Sequence, residues 1–187
     1  MTTEHCQSVY FSSKRPATSH CYDFAKRSLL AAEVQIDRVW ANSCTPSDPI
    51  DSGQIYHRIL IDLHFYFISL NNVYRYLNKV ISDPTFTHLR LTLDSLNEKW
   101  FKHYSSGRDA FEHIDQRLPG EKHQDRIVEI EENGARRKIY YALRLRKGQF
   151  AHSEKEWDIS IAAFSQIKTD VEQLLAGIVN ASPITKN

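Results

Sequence analysis

The chain has 187 residues, of which 41% are hydrophobic and 25% are charged. Its 24 lysines and arginines nearly balance 23 aspartates and glutamates, which gives a formal net charge of +1. This composition is typical of a single globular domain, here residues 1–187, with a core of its own. It excludes a disordered or fibrous chain and a polyelectrolyte that binds nucleic acid through overall charge.

Cysteine usage and hydropathy indicate the compartment. The cysteines are few, widely spaced and without a CxxC pair, which favours reduced thiols: Cys6, Cys21 and Cys44. The N-terminus does not combine a positively charged start with an apolar run, so we expect no signal peptide. The most apolar window, residues 59–70, is too short to cross a bilayer. We therefore expect a cytoplasmic protein with no membrane partner.

The first two helices follow from hydrophobic periodicity. Residues 1–16 are polar and aperiodic, which predicts a loose N-terminal arm. A first helix is expected over residues 19–41, with a broad apolar face made of Phe24, Leu29, Leu30, Ala32, Val34, Ile36, Val39 and Trp40. A second is expected over residues 53–81, capped by Asp51 or Ser52. It is apolar over most of its circumference, so we predict that it is the central helix of the core.

A third helical segment begins at Asp83 and Pro84, since aspartate is a favoured N-cap and proline suits the first helical position. Its apolar stripe is Leu89, Leu93, Leu96, Trp100, Tyr104, Phe111, Ile114 and Leu118. Residues 105–107 allow either a kink in one long helix or a short break between two. The segment ends at Pro119 and Gly120 in either case.

The apolar period then changes to two, which predicts a small sheet inserted at residues 125–157. Runs at 126–131 and 136–145 alternate around Asn133 and Gly134, the strongest short hairpin signal. Gly148 suggests a second turn, followed by a short third strand at 149–153. Asp158 or Ser160 then caps a last helix, and residues 181–187 form a frayed tail. The buried stripe of that helix is expected to be Phe164, Ile167, Val171, Leu174 and Ile178.

The predicted fold class follows from these elements. The chain is mainly α, an up-down helical bundle of four to five helices with a small inserted antiparallel β-hairpin or three-stranded sheet. Amphipathic helices joined by short loops bury their apolar stripes most simply in such a bundle.

The inserted hairpin is the one local concentration of basic residues. Three cations and one aromatic alternate with apolar residues along the predicted strand 136–145 and its continuation: Lys138, Tyr140, Arg144 and Arg146. Arg136 stands at the start of the same strand. Cations beside an exposed ring can hold a nucleic-acid backbone and stack a base, so these residues are candidate RNA-binding residues. The alternative is a solvated face that pairs with acidic residues of the neighbouring strand, Glu129, Glu131 and Glu132.

The nine histidines do not form a recognisable metal motif. His57 and His64 share a face of the second helix, but neither HExxH nor a Glu-x-x-His pair is present. We therefore expect no metal and no cofactor. A metal-dependent bundle enzyme that uses His57 and His64 remains a weaker alternative.

One short motif suggests a specific chemistry. Arg108 and His113 are separated by four residues in RDAFEH, at the end of the long helical pattern. Similar spacings recur in Arg15 and His20, Arg58 and His64, Arg117 and His123, and Arg146 and His152. Only Arg108 is followed by a polar residue, Asp109, within a predicted helix. Arginine, a polar neighbour and then histidine in this setting resemble the hallmark motif of the HEPN superfamily.

The resemblance implies a helical bundle that acts on RNA, with two protomers bringing their motifs together. Many members are metal-independent endoribonucleases of toxin–antitoxin or defence systems, which implies a homodimer, RNA and a cognate antitoxin protein as partners. Arg108, Asp109 and His113 would then be catalytic. The inserted hairpin is not part of the minimal family bundle. The alternative function is a non-catalytic helical interaction or accessory module, in which a solvated helical face with local ion pairs is formed by Arg108, Asp109, Glu112 and His113.

Helix geometry gives a physical reason to prefer this motif over the other arginine–histidine spacings. Asp109 and His113 are four residues apart, so the carboxylate can orient the imidazole. Arg108 lies about 140° round the helix from His113 at 3.6 residues per turn. This angle favours a site completed across a dimer. The resemblance implies that His113 would serve as general base or acid and that Arg108 would stabilise charge on the phosphorane.

Overall fold

The structure of the protein is a computed structural model. The structure describes residues 16–43, 52–112, 128–132, 135–139, 143–146, 148–152 and 155–182. The predictions for residues 1–15, 113–127 and 183–187 therefore lie outside the described residues.

Helices make up most of the described chain. The α-helices are α1 (Pro16–Ser43), α2 (Ser52–Ile81), α3 (Arg90–Leu96), α4 (Lys102–Glu112) and α5 (Ile161–Ala181). A 3-10 helix, Pro84–Leu89, precedes α3, and a π-helical turn, Asn97–Phe101, joins α3 to α4. The strands are β1 (Val128–Glu132), β2 (Ala135–Ile139), β3 (Leu143–Arg146), β4 (Gln149–His152) and β5 (Lys155–Asp158). The predicted fold class, a helical bundle with a small inserted antiparallel sheet, is confirmed.

Helices α1 and α2 form an antiparallel pair. The ring of Phe24 stacks on that of Tyr76 with centroids 5.3 Å apart, and Arg38 Nη1 lies 3.9 Å from Asp62 Oδ1. Because partner numbers on α2 fall as those on α1 rise, the two helices run in opposite directions.

The buried stripe of α1 is narrower than the predicted broad face. Its residues are three and four positions apart in turn, the pattern of helices that pack along their length: Tyr22, Ala25, Leu29, Ala32, Ile36 and Val39. Phe24, Leu30 and Val34 were expected to be on the apolar face, yet they are 45%, 60% and 46% exposed. The prediction was too wide because the stripe that meets the core covers only part of the circumference. Cys21 on this helix is a free thiol.

Helix α2 is the central helix, as predicted. It packs against α1 on one side and α4 on the other. Leu63, Tyr66, Phe67 and Leu70 are at most 1% exposed. The interpretation of its aromatic residues as core is confirmed for Tyr66 and Phe67, whereas Phe65 is 50% exposed.

The restart after α2 is confirmed at Asp83 and Pro84. Asp83 Oδ1 accepts a hydrogen bond from the backbone N–H of Thr85 at 3.0 Å, and Oδ2 accepts one from the Thr18 hydroxyl at 3.1 Å. The side chain of Asp83 therefore caps the 3-10 helix and ties it to the start of α1.

The helix that follows is not broken at residues 105–107. Its irregularity lies earlier, in the π turn Asn97–Phe101, and α4 runs without a break from Lys102 to Glu112. The π turn presents Lys99 and Trp100 to α5, where both donate to Asp170 Oδ2, at 2.8 and 2.7 Å. The π turn thus provides two side chains that hydrogen-bond to α5.

The insertion forms two separate sheets. β1 pairs with β2, with Glu132 opposite Ala135, so the hairpin around Asn133 and Gly134 is confirmed. β3, β4 and β5 form a second antiparallel sheet in that order. The turn between β3 and β4 contains Gly148 with φ 90°, a conformation that favours glycine.

The single strand predicted over residues 136–145 is wrong. The structure has β2 and β3 there, in different sheets, with residues 140–142 outside the described part. Alternation of apolar residues continues through this stretch, but alternation does not reveal where the pairing partner changes. Strand β5 was not predicted, because only Trp157 of its four residues is buried.

Helix α5 closes the bundle. Ser160, one of the two predicted caps, accepts a hydrogen bond through Oγ from the N–H of Ala163 at 3.1 Å. The predicted stripe from Phe164 to Ile178 is buried throughout. Trp40 of α1 donates through Nε1 to the carbonyl of Ile159 at 2.9 Å, which fixes the start of α5 against α1.

Candidate functional site

Helix α4 carries Arg108 and Asp109 near its C-terminal end. The residues of α4 that face α2 fix the rotation of α4 about its own axis. A Cβ on Gly107 would lie 2.6 Å from the ring of Phe67, so only glycine allows α4 to come this close to α2. Phe111, one turn on, is 8% exposed, as predicted for a core-facing residue. Arg108 and Asp109 therefore lie at the edge of the buried face, with side chains 31% and 48% exposed.

Arg108 and Asp109 form an ion pair. Asp109 Oδ1 accepts from Arg108 Nη2 at 2.7 Å and from Nε at 3.1 Å. The carboxylate thus holds the guanidinium against the helix surface, in a charge-assisted pair. This is also the local pairing expected if the motif has no catalytic role.

His113, the third residue of the motif, lies outside the described residues. Helix α4 is described to Glu112, one residue short of it. The orientation of the His113 imidazole by Asp109 stays a prediction, as does the core position of Ile114.

A column of four stacked rings joins α4 to the second sheet. In the order His64, Phe111, Phe150 and Trp157, successive centroids are 5.2, 5.3 and 5.6 Å apart, with interplanar angles of 16°, 13° and 26°. We call this set the aromatic column. Since it combines residues of α2, α4, β4 and β5, it fixes the inserted sheet directly against the helix that carries the motif.

Sequence reasoning missed the place of His64. The sequence left a metal site of His57 and His64 only as a weaker alternative, and the structure stacks His64 on Phe111, two residues before His113. His57, two turns earlier on α2, is exposed. In the ranges that the structure describes, no group of three or more His, Cys, Asp or Glu side chains lies close enough to hold a metal ion. The contact between His64 and Phe111 depends on the antiparallel packing of α2 on α4, so no spacing within the sequence could predict it.

Two further hydrogen bonds attach β5 to α4. Trp157 Nε1 donates to the carbonyl of His103 at 3.0 Å, and the Tyr104 hydroxyl donates to the carbonyl of Asp158. Burial raises the pKa of Tyr104, and the negative charge of Asp158 adds to the rise. Tyr104 therefore keeps its proton at neutral pH and acts as a structural donor.

The candidate RNA-binding residues on β2 lie opposite acidic residues. Arg136 is in register with Glu131, and Lys138 is in register with Glu129. Opposite charges at directly paired positions stabilise a sheet. The register therefore supports the alternative of a charge-balanced hairpin for this half of the set.

The candidates on β3 have no acidic partner in register. Arg144 lies opposite Ala151, and Arg146 lies opposite Gln149. β3 is at the edge of its three-stranded sheet. Tyr140, the proposed stacking residue, lies outside the described residues. The structure thus divides the predicted RNA-binding face between two sheets.

In the described helices there is no apolar stretch of the length that a membrane crossing requires. Comparisons of the chain with protein-family models, with curated proteins and with solved structures give no match.

Proposed function

We propose that this protein acts on RNA at the C-terminal end of α4, as a HEPN-like endoribonuclease that needs no metal. The observation that carries the proposal is the Arg108–Asp109 pair on a bundle helix. The pair is partly exposed and held by a helix whose rotation is fixed by Gly107 and Phe111. A cation in such a place can reach a phosphate of a bound strand without unfolding any part of the core.

Each residue of the motif has a role in the proposed reaction. Arg108 stabilises the charge that develops on the phosphorane, and Asp109 keeps the guanidinium in position. His113 acts as general base toward the RNA 2′-hydroxyl or as general acid toward the leaving 5′-oxygen. The site is completed by a second protomer in a homodimer, because Arg108 and His113 are separated by about 140° on a helix.

The proposed setting is a toxin–antitoxin or defence system in the cytoplasm, with an antitoxin protein as the cognate partner. Arg144 and Arg146 on β3, and Arg136 and Lys138 on β2, are proposed to contact the RNA backbone. β3 is the stronger of the two surfaces, since its arginines have no acidic partner in register.

The proposal is tested by RNA cleavage in the presence of EDTA with Arg108→Ala. Loss of one transition-state donor typically lowers the rate about 100- to 1,000-fold. Arg75→Ala is the matched control, because Arg75 is an exposed arginine on α2. Equal rates for the two variants, both folded by circular dichroism, would refute the catalytic role of Arg108.

A second candidate function is a non-catalytic interaction module. Exposed apolar residues favour it, because they stand four apart on each of two neighbouring helices: Leu30 and Val34 on α1, Ile61 and Phe65 on α2. Pairs at this spacing share one face of a helix. This function predicts that purified protein leaves RNA intact with or without added divalent metal.

A further inference from the structure

An open cleft lies between α1 and α2, away from the motif helix. Its volume is about 490 Å³. Of the described residues, six line it: Arg38, Ala41, Asn42, Arg58, Ile61 and Asp62. Asp62 and Phe67, whose ring meets α4, are five residues apart and so about 140° apart round α2. The cleft and Arg108 are therefore on different flanks of the central helix.

Among the described residues that line the cleft, cations outnumber anions, since they supply two guanidinium groups and one carboxylate. Arg38 Nη1 is 3.9 Å from Asp62 Oδ1, the outer limit of an ion pair, and the Arg38 side chain is 62% exposed. Arg58 is exposed and makes no ion pair with another residue in the described ranges. One guanidinium thus remains without a counter-charge from the described part of the chain.

Asp62 is an anchor for Arg38. The residue is only 9% exposed, and burial raises the pKa of its carboxyl, an effect that the charge of Arg38 opposes but does not reverse. The charge of Arg38 therefore offsets only part of the cost of burying the Asp62 carboxylate, and this favours a cation beside it. Arg38 thus lines the cleft beside Asp62 while most of its side chain stays accessible.

We infer that this cleft binds the phosphate group of a small phosphomonoester between Arg38 and Arg58. Guanidinium forks match phosphate oxygens in geometry and charge, and two of them suit a dianion with three terminal oxygens better than a carboxylate with two. Ala41 and Ile61, the latter 55% exposed, supply an apolar wall for the organic part of the ligand. The volume is within the roughly 300–1,000 Å³ of small-molecule sites.

The inference is tested by calorimetric titration of the purified chain with adenosine 5′-monophosphate, inorganic phosphate and acetate. The nucleotide is expected to bind more tightly than phosphate, and acetate more weakly than both. Arg58→Ala should weaken nucleotide binding about tenfold or more, since each lost charge-assisted pair removes a strong contact. That variant leaves the Arg38–Asp62 pair intact. Arg75→Ala, which removes an exposed arginine elsewhere on α2, should bind as the wild type does.

Asp62→Asn is expected to change the affinity for the nucleotide in the opposite direction from Arg58→Ala. It removes a negative charge from the cleft while keeping the shape of the side chain, so nucleotide binding should become a few-fold tighter. The inference is overturned if neither phosphate compound binds at millimolar concentration, if Arg58→Ala and Arg75→Ala weaken binding equally, or if acetate binds as tightly as phosphate. These measurements use no RNA, so their outcome is independent of the proposed cleavage activity.

Discussion

At the scale of single residues, Gly107 decides how closely α4 approaches α2. Gly107→Ala adds a methyl group 2.6 Å from the ring of Phe67, which is fully buried and in contact with several other rings. Overpacking of this kind costs about 1–3 kcal/mol, more than the roughly 1 kcal/mol gained from helix propensity. We therefore expect a net loss of stability in urea unfolding.

Gly177→Ala on α5 is the matched control for that prediction. Its added methyl group would lie 3.6 Å from Leu89, an ordinary contact. This variant is expected to be more stable by about 0.5–1 kcal/mol, through helix propensity alone. A gain in both variants would show that α4 and α2 are not in close contact at Gly107.

Asp170 makes stability depend on pH. Hydrogen bonds from Lys99 and Trp100 lower the pKa of its carboxyl from 3.8. Because the folded pKa is below that of the unfolded chain, the stabilisation is complete above about pH 5 and is lost as pH falls through 3.8 and below. The difference in unfolding free energy between wild type and Asp170→Asn should therefore shrink between pH 7 and pH 3.

Asp94→Asn, which changes an exposed carboxyl on α3, is the control for this effect. A difference for Asp170→Asn that is constant across the pH range would contradict the proposed contribution of the ionised carboxylate.

The sequence identified the motif on α4 but not its surroundings. Arg108 and Asp109 could be selected from the sequence because a polar neighbour and a helical pattern set them apart from other arginines. The stacking of His64 on Phe111 could not be predicted, since it depends on how α2 and α4 pack. The exposure of Leu30 and Val34 also could not be predicted, because hydrophobicity alone does not fix which side of α1 meets the core.

At the scale of elements, the aromatic column connects the inserted sheet to the motif helix. Phe150 is at its centre, with Phe111 stacked on one side and Trp157 on the other. Phe150→Leu removes both ring pairs, each worth about 0.5–1.5 kcal/mol, so we expect a loss of about 1–3 kcal/mol in urea unfolding.

Phe65→Leu makes the same substitution at a residue that is 50% exposed and makes one ring contact, with His64 at 5.9 Å. Its loss of stability should therefore be smaller than that of Phe150→Leu, about 0.5–1 kcal/mol. If the two variants unfold alike, the sheet is not packed against α4 as described.

The elements themselves were predictable to different degrees. Local residue types were sufficient to predict two features, the hairpin around Asn133 and Gly134 and the cap at Asp83. The division between β2 and β3 was missed because strand pairing is a non-local property. The π turn at Asn97–Phe101 was missed because no local pattern marks it, and the partner of its Lys99 and Trp100 side chains, Asp170, is remote in sequence.

At the scale of the whole molecule, the bundle buries the apolar stripes of its amphipathic helices in a common core. The central position of α2 was predictable, because only this helix is apolar over most of its circumference. Its two flanks carry different surfaces, the Arg108–Asp109 pair beside α4 and the Arg38–Arg58 cleft beside α1. The structure thus places the two proposed sites apart, so that each can be removed without the other.

The most direct test of the proposed function is the rate of RNA cleavage in EDTA by wild type and by His113→Ala. General acid–base catalysis contributes about 100- to 10,000-fold, so the variant should lose at least 100-fold while it unfolds at the same urea concentration. His88→Ala, an exposed histidine on the 3-10 helix, should cut at the wild-type rate. Cleavage by His113→Ala at the wild-type rate would contradict the account.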